Sequence, residues 1–189
     1  MAFVEYFIIF VIAVVIVMFV VQNIDHEVEY VRSKVDKKLY LVRSLPDKQR
    51  AADILANINK EMIKLIKHMQ TQFPNSDHAK LLYKNYDPTA ISEGSPDSGY
   101  TSYSVNKGEK LVICIRNTDN SFVDFNVILY PTIHELGHLM TPEIGHTPLF
   151  WQNFKILLQE AINIGIYTRV DFKNSPTPYC GITITSSVV

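Results

Sequence analysis

Apolar positions are unevenly distributed along the 189 residues, and their spacing changes from segment to segment. From Met1 to Val21 only Glu5 carries a charge. Twenty-one helical residues reach about 31 Å, roughly the thickness of a bilayer's hydrocarbon core. The β-branched residues Val11, Ile12, Val14, Val15, Ile16 and Val17 would favour a strand in water. In lipid the backbone must satisfy its own hydrogen bonds, so the expected form is a helix. No basic segment precedes the stretch and no small-x-small cleavage pattern follows it, so residues 1–22 are expected to be an uncleaved transmembrane anchor with the lipid bilayer as partner. Arg32, Lys34, Lys37, Lys38 and Arg43 follow closely, which predicts a single-pass protein with its remaining domain on the cytoplasmic side.

Residues 23–45 carry Val28, Val31, Val35, Leu39 and Val42 at three- or four-residue spacing, the pattern of a juxtamembrane helix or linker. Pro46 opens the expected folded domain, residues 46–189. Ile54, Leu55, Ile58, Met62, Leu65, Ile66 and Met69 line one face of a helix predicted over 47–70. Ser76 caps a short helix that ends near Asp87-Pro88, and 93–99 reads as a loop. Two strand-like runs, 100–105 and 111–115, flank Asn106-Lys107-Gly108-Glu109, a hairpin pattern. A helix is expected over about 126–140, starting near or kinked at Pro131. Thr147-Pro148 forms a cap-plus-N1 pair for a last helix that buries Leu149, Phe150, Phe154, Leu157, Leu158 and Ala161 and ends by Gly165. The tail from 179 to 184 reads as a loop and short strand. Helices around a small sheet predict an α+β class.

Composition narrows the function. The formal net charge is −1 and no basic block is present, so no nucleic-acid partner is expected. Cys114 and Cys180 stand in neither a CxxC nor a CxxxC arrangement. They are expected to be two free thiols, which leans towards a reducing compartment and away from a thiolate zinc site.

The chemistry concentrates in His134-Glu135-Leu136-Gly137-His138. Histidines at i and i+4 project from one helix face and span two corners of a tetrahedral zinc site. Glu135 sits just off that face, placed to hold the attacking water and take its proton. Ile133, Leu136, Leu139 and Met140 make the surroundings apolar, where unpaired imidazoles would be costly and a metal relieves the cost. A catalytic zinc needs a third protein ligand. His146 is favoured, Glu160 on the next helix is the rival, and Glu143 is a more distant candidate.

His134-Glu135-Leu136-Gly137-His138-Leu139, followed by His146-Thr147-Pro148-Leu149-Phe150-Trp151, resembles the compact zincin peptidases of the WLM and SprT-like type. The resemblance runs from about residue 100 to 161. The hydrophobic amino terminus and Tyr179-Cys180-Gly181 give a looser resemblance to metallopeptidases encoded by large DNA viruses. The likeness implies a minimal zincin-like domain, with a small antiparallel or mixed sheet packed on the active helix. It also implies a peptide or protein substrate laid antiparallel along an edge strand, and zinc-dependent hydrolysis with Glu135 as general base. Tyr167 or Tyr179 would serve as an additional oxyanion donor. The alternative function is a catalytically silent, zinc-stabilised structural or membrane-organising protein such as a virion component. A DNA–protein crosslink protease fits poorly with the anchor and the neutral charge.

Overall fold

The computed structural model describes residues 6–8, 10–15, 27–96 and 99–189. Within the amino-terminal stretch, residues 6–8 and 10–15 are helical and exposed. Among the described residues no helix is long and apolar enough to cross a membrane. That finding overturns the expected transmembrane anchor and the single-pass, cytoplasmic-side placement drawn from it. The other residues of the 1–22 stretch lie outside those described.

The segment expected to be a juxtamembrane helix is instead a hairpin of β1 (Val28–Arg32) and β2 (Leu39–Arg43), paired antiparallel from Val28↔Arg43 to Arg32↔Leu39. Its apolar spacing fits a helix on paper. In space β2 alternates, burying Tyr40 and Val42 while Leu39 faces outward. Lys37 takes a left-handed φ of 64° at the turn, and the Asp53 carboxylate accepts from the Ser33 hydroxyl and the Lys34 amide.

Helix α1 (Lys48–Gln72) buries the predicted face, with Leu55, Ile58, Met62, Leu65 and Met69 fully enclosed. Helix α2 (Asp77–Asn85) starts where Ser76 Oγ accepts from the Ala79 amide. Strand β3 (Ile91–Gly94) occupies part of the expected loop. Strands β4 (Tyr103–Val105) and β5 (Lys110–Cys114) form the expected hairpin, with Asn106 and Lys107 both left-handed in its turn. The helix that carries the two i, i+4 histidines, α3 (Phe125–Met140), is capped by Asp124 and continues through Pro131. Helix α4 (Pro148–Asn163) follows Thr147, and β6 (Thr177–Tyr179) with β7 (Ile182–Ile184) closes the chain as a small separate hairpin.

The main sheet has the order β1-β2-β3-β5-β4, with β2, β3 and β5 parallel and the two outer strands antiparallel. This is an α+β mixed sheet with helices packed against it. β4 is therefore a sheet edge, and it lies beside α3. Arg116, fully buried just after β5, ties the strands to the start of α1. Its Nε donates to Glu93 on β3 at 2.7 Å, its Nη2 donates to Asp47 at 2.7 Å, and its guanidinium lies 3.9 Å from the Phe122 ring centre.

The two cysteines are not free. Cys114 at the end of β5 is bonded to Cys180 in the β6–β7 turn, with Cα atoms 6.0 Å apart. The expectation of two free thiols is corrected, and with it goes the ground for inferring a reducing compartment: the two cysteines lie 66 positions apart, and only the fold brings them together.

Candidate active site

Helix α3 is anchored by one face. Ile133, Leu136 and Met140, at helical spacing, are almost wholly buried, and this turns His134 and His138 together towards a cleft. Gly137 sits between them on the side of α4. A Cβ there would lie 3.0 Å from Phe150 Cε2 and 3.3 Å from Phe154 Cβ, so any larger residue would have to push the neighbouring rings back by a few tenths of an ångström. The approach packs aromatic rings onto the imidazoles. Phe150 stacks on His138 with centroids 4.2 Å apart and meets His134 edge-on at 4.8 Å.

His146 comes from the turn between the helices. Thr147 Oγ1 accepts from the Phe150 amide and Pro148 occupies the first helical position, so the start of α4 fixes the end of that turn. Trp151 then stacks on the His146 ring at 5.4 Å. His146 Nε2 lies 2.9 Å from His134 Nε2. One nitrogen from each of His134, His138 and His146 lies within 4.8 Å of the others.

These residues fit a metal ion. Burial first, and then the neighbouring histidines, pushes His134 down to about 3. Burial, His146 and Lys107 push His138 down to about 4. Both imidazoles are thus neutral at physiological pH, the form that ligates. Three converging histidine nitrogens with no protein carboxylate among them suit zinc, and would leave a fourth position for water or substrate.

Glu135 points into the same cleft beside the histidines, which has a volume of about 970 Å³. Burial pushes its carboxyl up to about 7, against hydrogen bonds from the Ser104 hydroxyl and amide that lower it. Ser104 is the middle residue of edge strand β4, so the strand's outer backbone faces Glu135. Opposite, residues 183–188 of the tail form another wall, and the Tyr130 hydroxyl donates to the Ser186 carbonyl.

The remaining sequence candidates separate. Glu160 is drawn away from the histidines: its carboxylate lies 2.6 Å from His68 Nε2 on α1 and accepts from Asn163. Glu143 is exposed in the 141–146 turn, where its backbone carbonyl rather than its carboxylate is engaged. Tyr167 is buried against Tyr130 and does not line the cleft. Tyr179 does line it, buried, with its hydroxyl 2.6 Å from Ser102 Oγ. Burial keeps that phenol protonated, well above its ordinary range. Two contributors were missed in the sequence: Ser104, which holds Glu135, and Lys107, which reaches the carboxyl end of α3. The hairpin pattern located both residues, but nothing local says which way a strand or turn residue points.

No family model matches the chain. The uncharacterized protein R325 of Acanthamoeba polyphaga mimivirus is 32% identical over 176 residues, covering 90% of this chain and 89% of that protein. The uncharacterized protein 136R of Invertebrate iridescent virus 6 is 35% identical over 95 residues, 48% of this chain and 51% of its own length. Among solved structures, a mutant of Wss1 from Saccharomyces cerevisiae has a TM-score of 0.47 and 20% identity over 67% of this chain and 92% of that one. A mutant of Wss1 from S. pombe has a TM-score of 0.42 and 24% identity, covering 64% and 92%. Those structural likenesses are too loose to assign an activity. The sequence match over nearly the full length of both proteins is not: this chain belongs to the family of the mimivirus protein R325.

Proposed function

We propose that the chain is a zinc-dependent peptidase in which His134, His138 and His146 hold the metal and Glu135 is the general base. One observation carries this reading: a buried carboxylate faces the same cleft as three converging imidazoles. When bound, zinc would supply Lewis acidity, polarising the scissile carbonyl and making an attacking water acidic near neutral pH. Glu135, with a carboxyl raised to about 7, is matched to taking a proton from that water and returning it to the leaving amine. The position of β4 at the sheet edge, lining the cleft, supports an extended peptide binding antiparallel along Tyr103–Val105. Tyr179, protonated and held by Ser102, is the candidate donor to the developing oxyanion, and Tyr167 is not.

The test compares wild type with Glu135→Gln, both loaded with zinc, on an unbiased peptide library read by mass spectrometry. Both proteins should hold one zinc per chain. Cleavage should fall by about 10²–10⁴-fold in the variant, the usual contribution of a general base. Equal cleavage by the two proteins overturns the role of Glu135. Zinc bound with no cleavage by wild type makes the metal structural.

A further inference from the structure

We propose that Lys107, at the tip of the β4–β5 hairpin, is the positioning residue that sets the third metal ligand, His146. The proposal rests on the zinc site above and concerns what holds it in shape.

An α-helix ends with four carbonyls that have no helical partner. At the end of α3 side chains satisfy three of the four. Thr141 Oγ1 donates to the Gly137 carbonyl at 2.7 Å, and Asn85 Nδ2 donates to the Leu139 carbonyl at 2.9 Å. Lys107 Nζ takes the His138 carbonyl at 3.3 Å and then goes beyond the helix, to the Thr141 carbonyl at 2.7 Å and the Glu143 carbonyl at 2.5 Å. All three donors of one ammonium are therefore spent on the backbone that runs from the second histidine towards the third. The positive charge also sits at the negative end of the helix dipole.

The turn has little else to hold it. Ile144 is 90% exposed, and Gly145 has a φ of +84° with no atom near the position of a Cβ. One end of the segment is fixed by the Thr147 cap on α4. Lys107 fixes the other, three residues before His146. Lys107 is itself rigidly placed. It and Asn106 are left-handed, and the following Gly108 is inserted so tightly that a Cβ would lie 2.0 Å from the Asn85 carbonyl oxygen. The hairpin that offers β4 to a peptide thus also holds the ligand turn, so substrate edge and metal site share one mechanical part.

The experiment measures zinc affinity by chelator competition on the full chain, for wild type, Lys107→Met, His146→Ala and the double variant. Methionine keeps an apolar stem but no donors. Loss of a group that orients a metal ligand typically weakens binding by about 10–100-fold, and that is the expected effect of Lys107→Met. In the His146→Ala background the same substitution should cost little, because the ligand it positions is gone. Undiminished affinity in Lys107→Met overturns the proposal, as does an equal loss in both backgrounds. Should Lys107→Met not fold, Lys107→Arg supplies the same comparison. The planar guanidinium keeps the charge but not three diverging donors, and zinc affinity should drop only when His146 is present. A His146→Ala protein that binds zinc as wild type does would instead remove the site reading itself.

Discussion

Replacing Cys114 and Cys180 together by alanine removes a cross-link between residues 66 apart in sequence. In the chain-entropy account, a bond closing a loop of that length destabilises the unfolded chain by about 4 kcal/mol at 25 °C. The loop it closes contains α3, α4, Glu135 and the three histidines of the candidate metal site. The local consequence is sharper. β6 and β7 are three residues each, and a two-stranded hairpin of that size is marginal by itself. The bond joins this hairpin to β5 of the main sheet and holds Tyr179, the residue next to Cys180, against Ser102. Urea denaturation of the full chain, monitored through its one tryptophan, measures the global effect. With a slope of about 2 kcal/mol per molar, the midpoint should fall by about 2 M in the double variant, and by a similar amount in reduced wild type. Amide exchange should rise over residues 177–184 before it rises in α3. Coincident denaturation curves for oxidised, reduced and alanine forms would refute the reasoning, as would detection of two alkylatable thiols in unreduced, denatured protein.

Two further outcomes follow from the packing and charge around the site. Gly137→Ala gains up to about 1 kcal/mol of helix propensity but overpacks Phe150 and Phe154 by about 1–3 kcal/mol, so a net loss near 1 kcal/mol is expected. Calorimetry should show a melting temperature lower by about 2–4 °C, together with weaker zinc binding because the displaced Phe150 ring also meets His146 edge-on at 4.8 Å. An unchanged or higher melting temperature refutes the close-approach role of this glycine. The hydrogen bonds from Arg116 hold the Asp47 carboxyl below the usual carboxylate range. A depressed carboxyl contributes stability that is present above about pH 4 and lost as pH falls through its folded value. Wild type should therefore exceed Asp47→Asn in denaturant midpoint at pH 7, with the gap narrowing below pH 4. A gap that widens on acidification contradicts the pairing.

The parts of the site that were legible in the sequence are those encoded by neighbours. His134 and His138 share a face because four residues make about one helical turn. Thr147-Pro148 starts α4 through its own cap, and the Asn106-Lys107-Gly108 turn makes a hairpin without help from elsewhere. The missed features are held by distant partners. Val28, Val31, Val35, Leu39 and Val42 have helical spacing, yet the segment is extended because β2 pairs with β3 and its Arg43 amide donates to Glu93, fifty residues on. Strand β3 is Ile-Ser-Glu-Gly, with one apolar side chain to announce it. Its Glu93 is buried with its carboxylate met by Arg116 and by the Arg43 amide. The cysteine pair and the Glu160–His68 pair fail for the same reason: sequence gives a residue's position in an element, but not which element it will face.

The same division runs through the metal site. His134 and His138 are set by one helix, so their spacing survives almost any rearrangement around it. His146 is set by where α4 docks and by what grips the intervening turn. Those are non-local matters, decided by Gly137 against Phe150 and by Lys107 on three backbone carbonyls. A three-histidine site built this way should be most sensitive at its third ligand. Substitutions at Gly137 and Lys107, which ligate nothing, should weaken zinc binding through His146 while leaving the HExxH helix folded. If far-ultraviolet circular dichroism instead showed α3 melting in those variants, the helix rather than the turn would be the element they support.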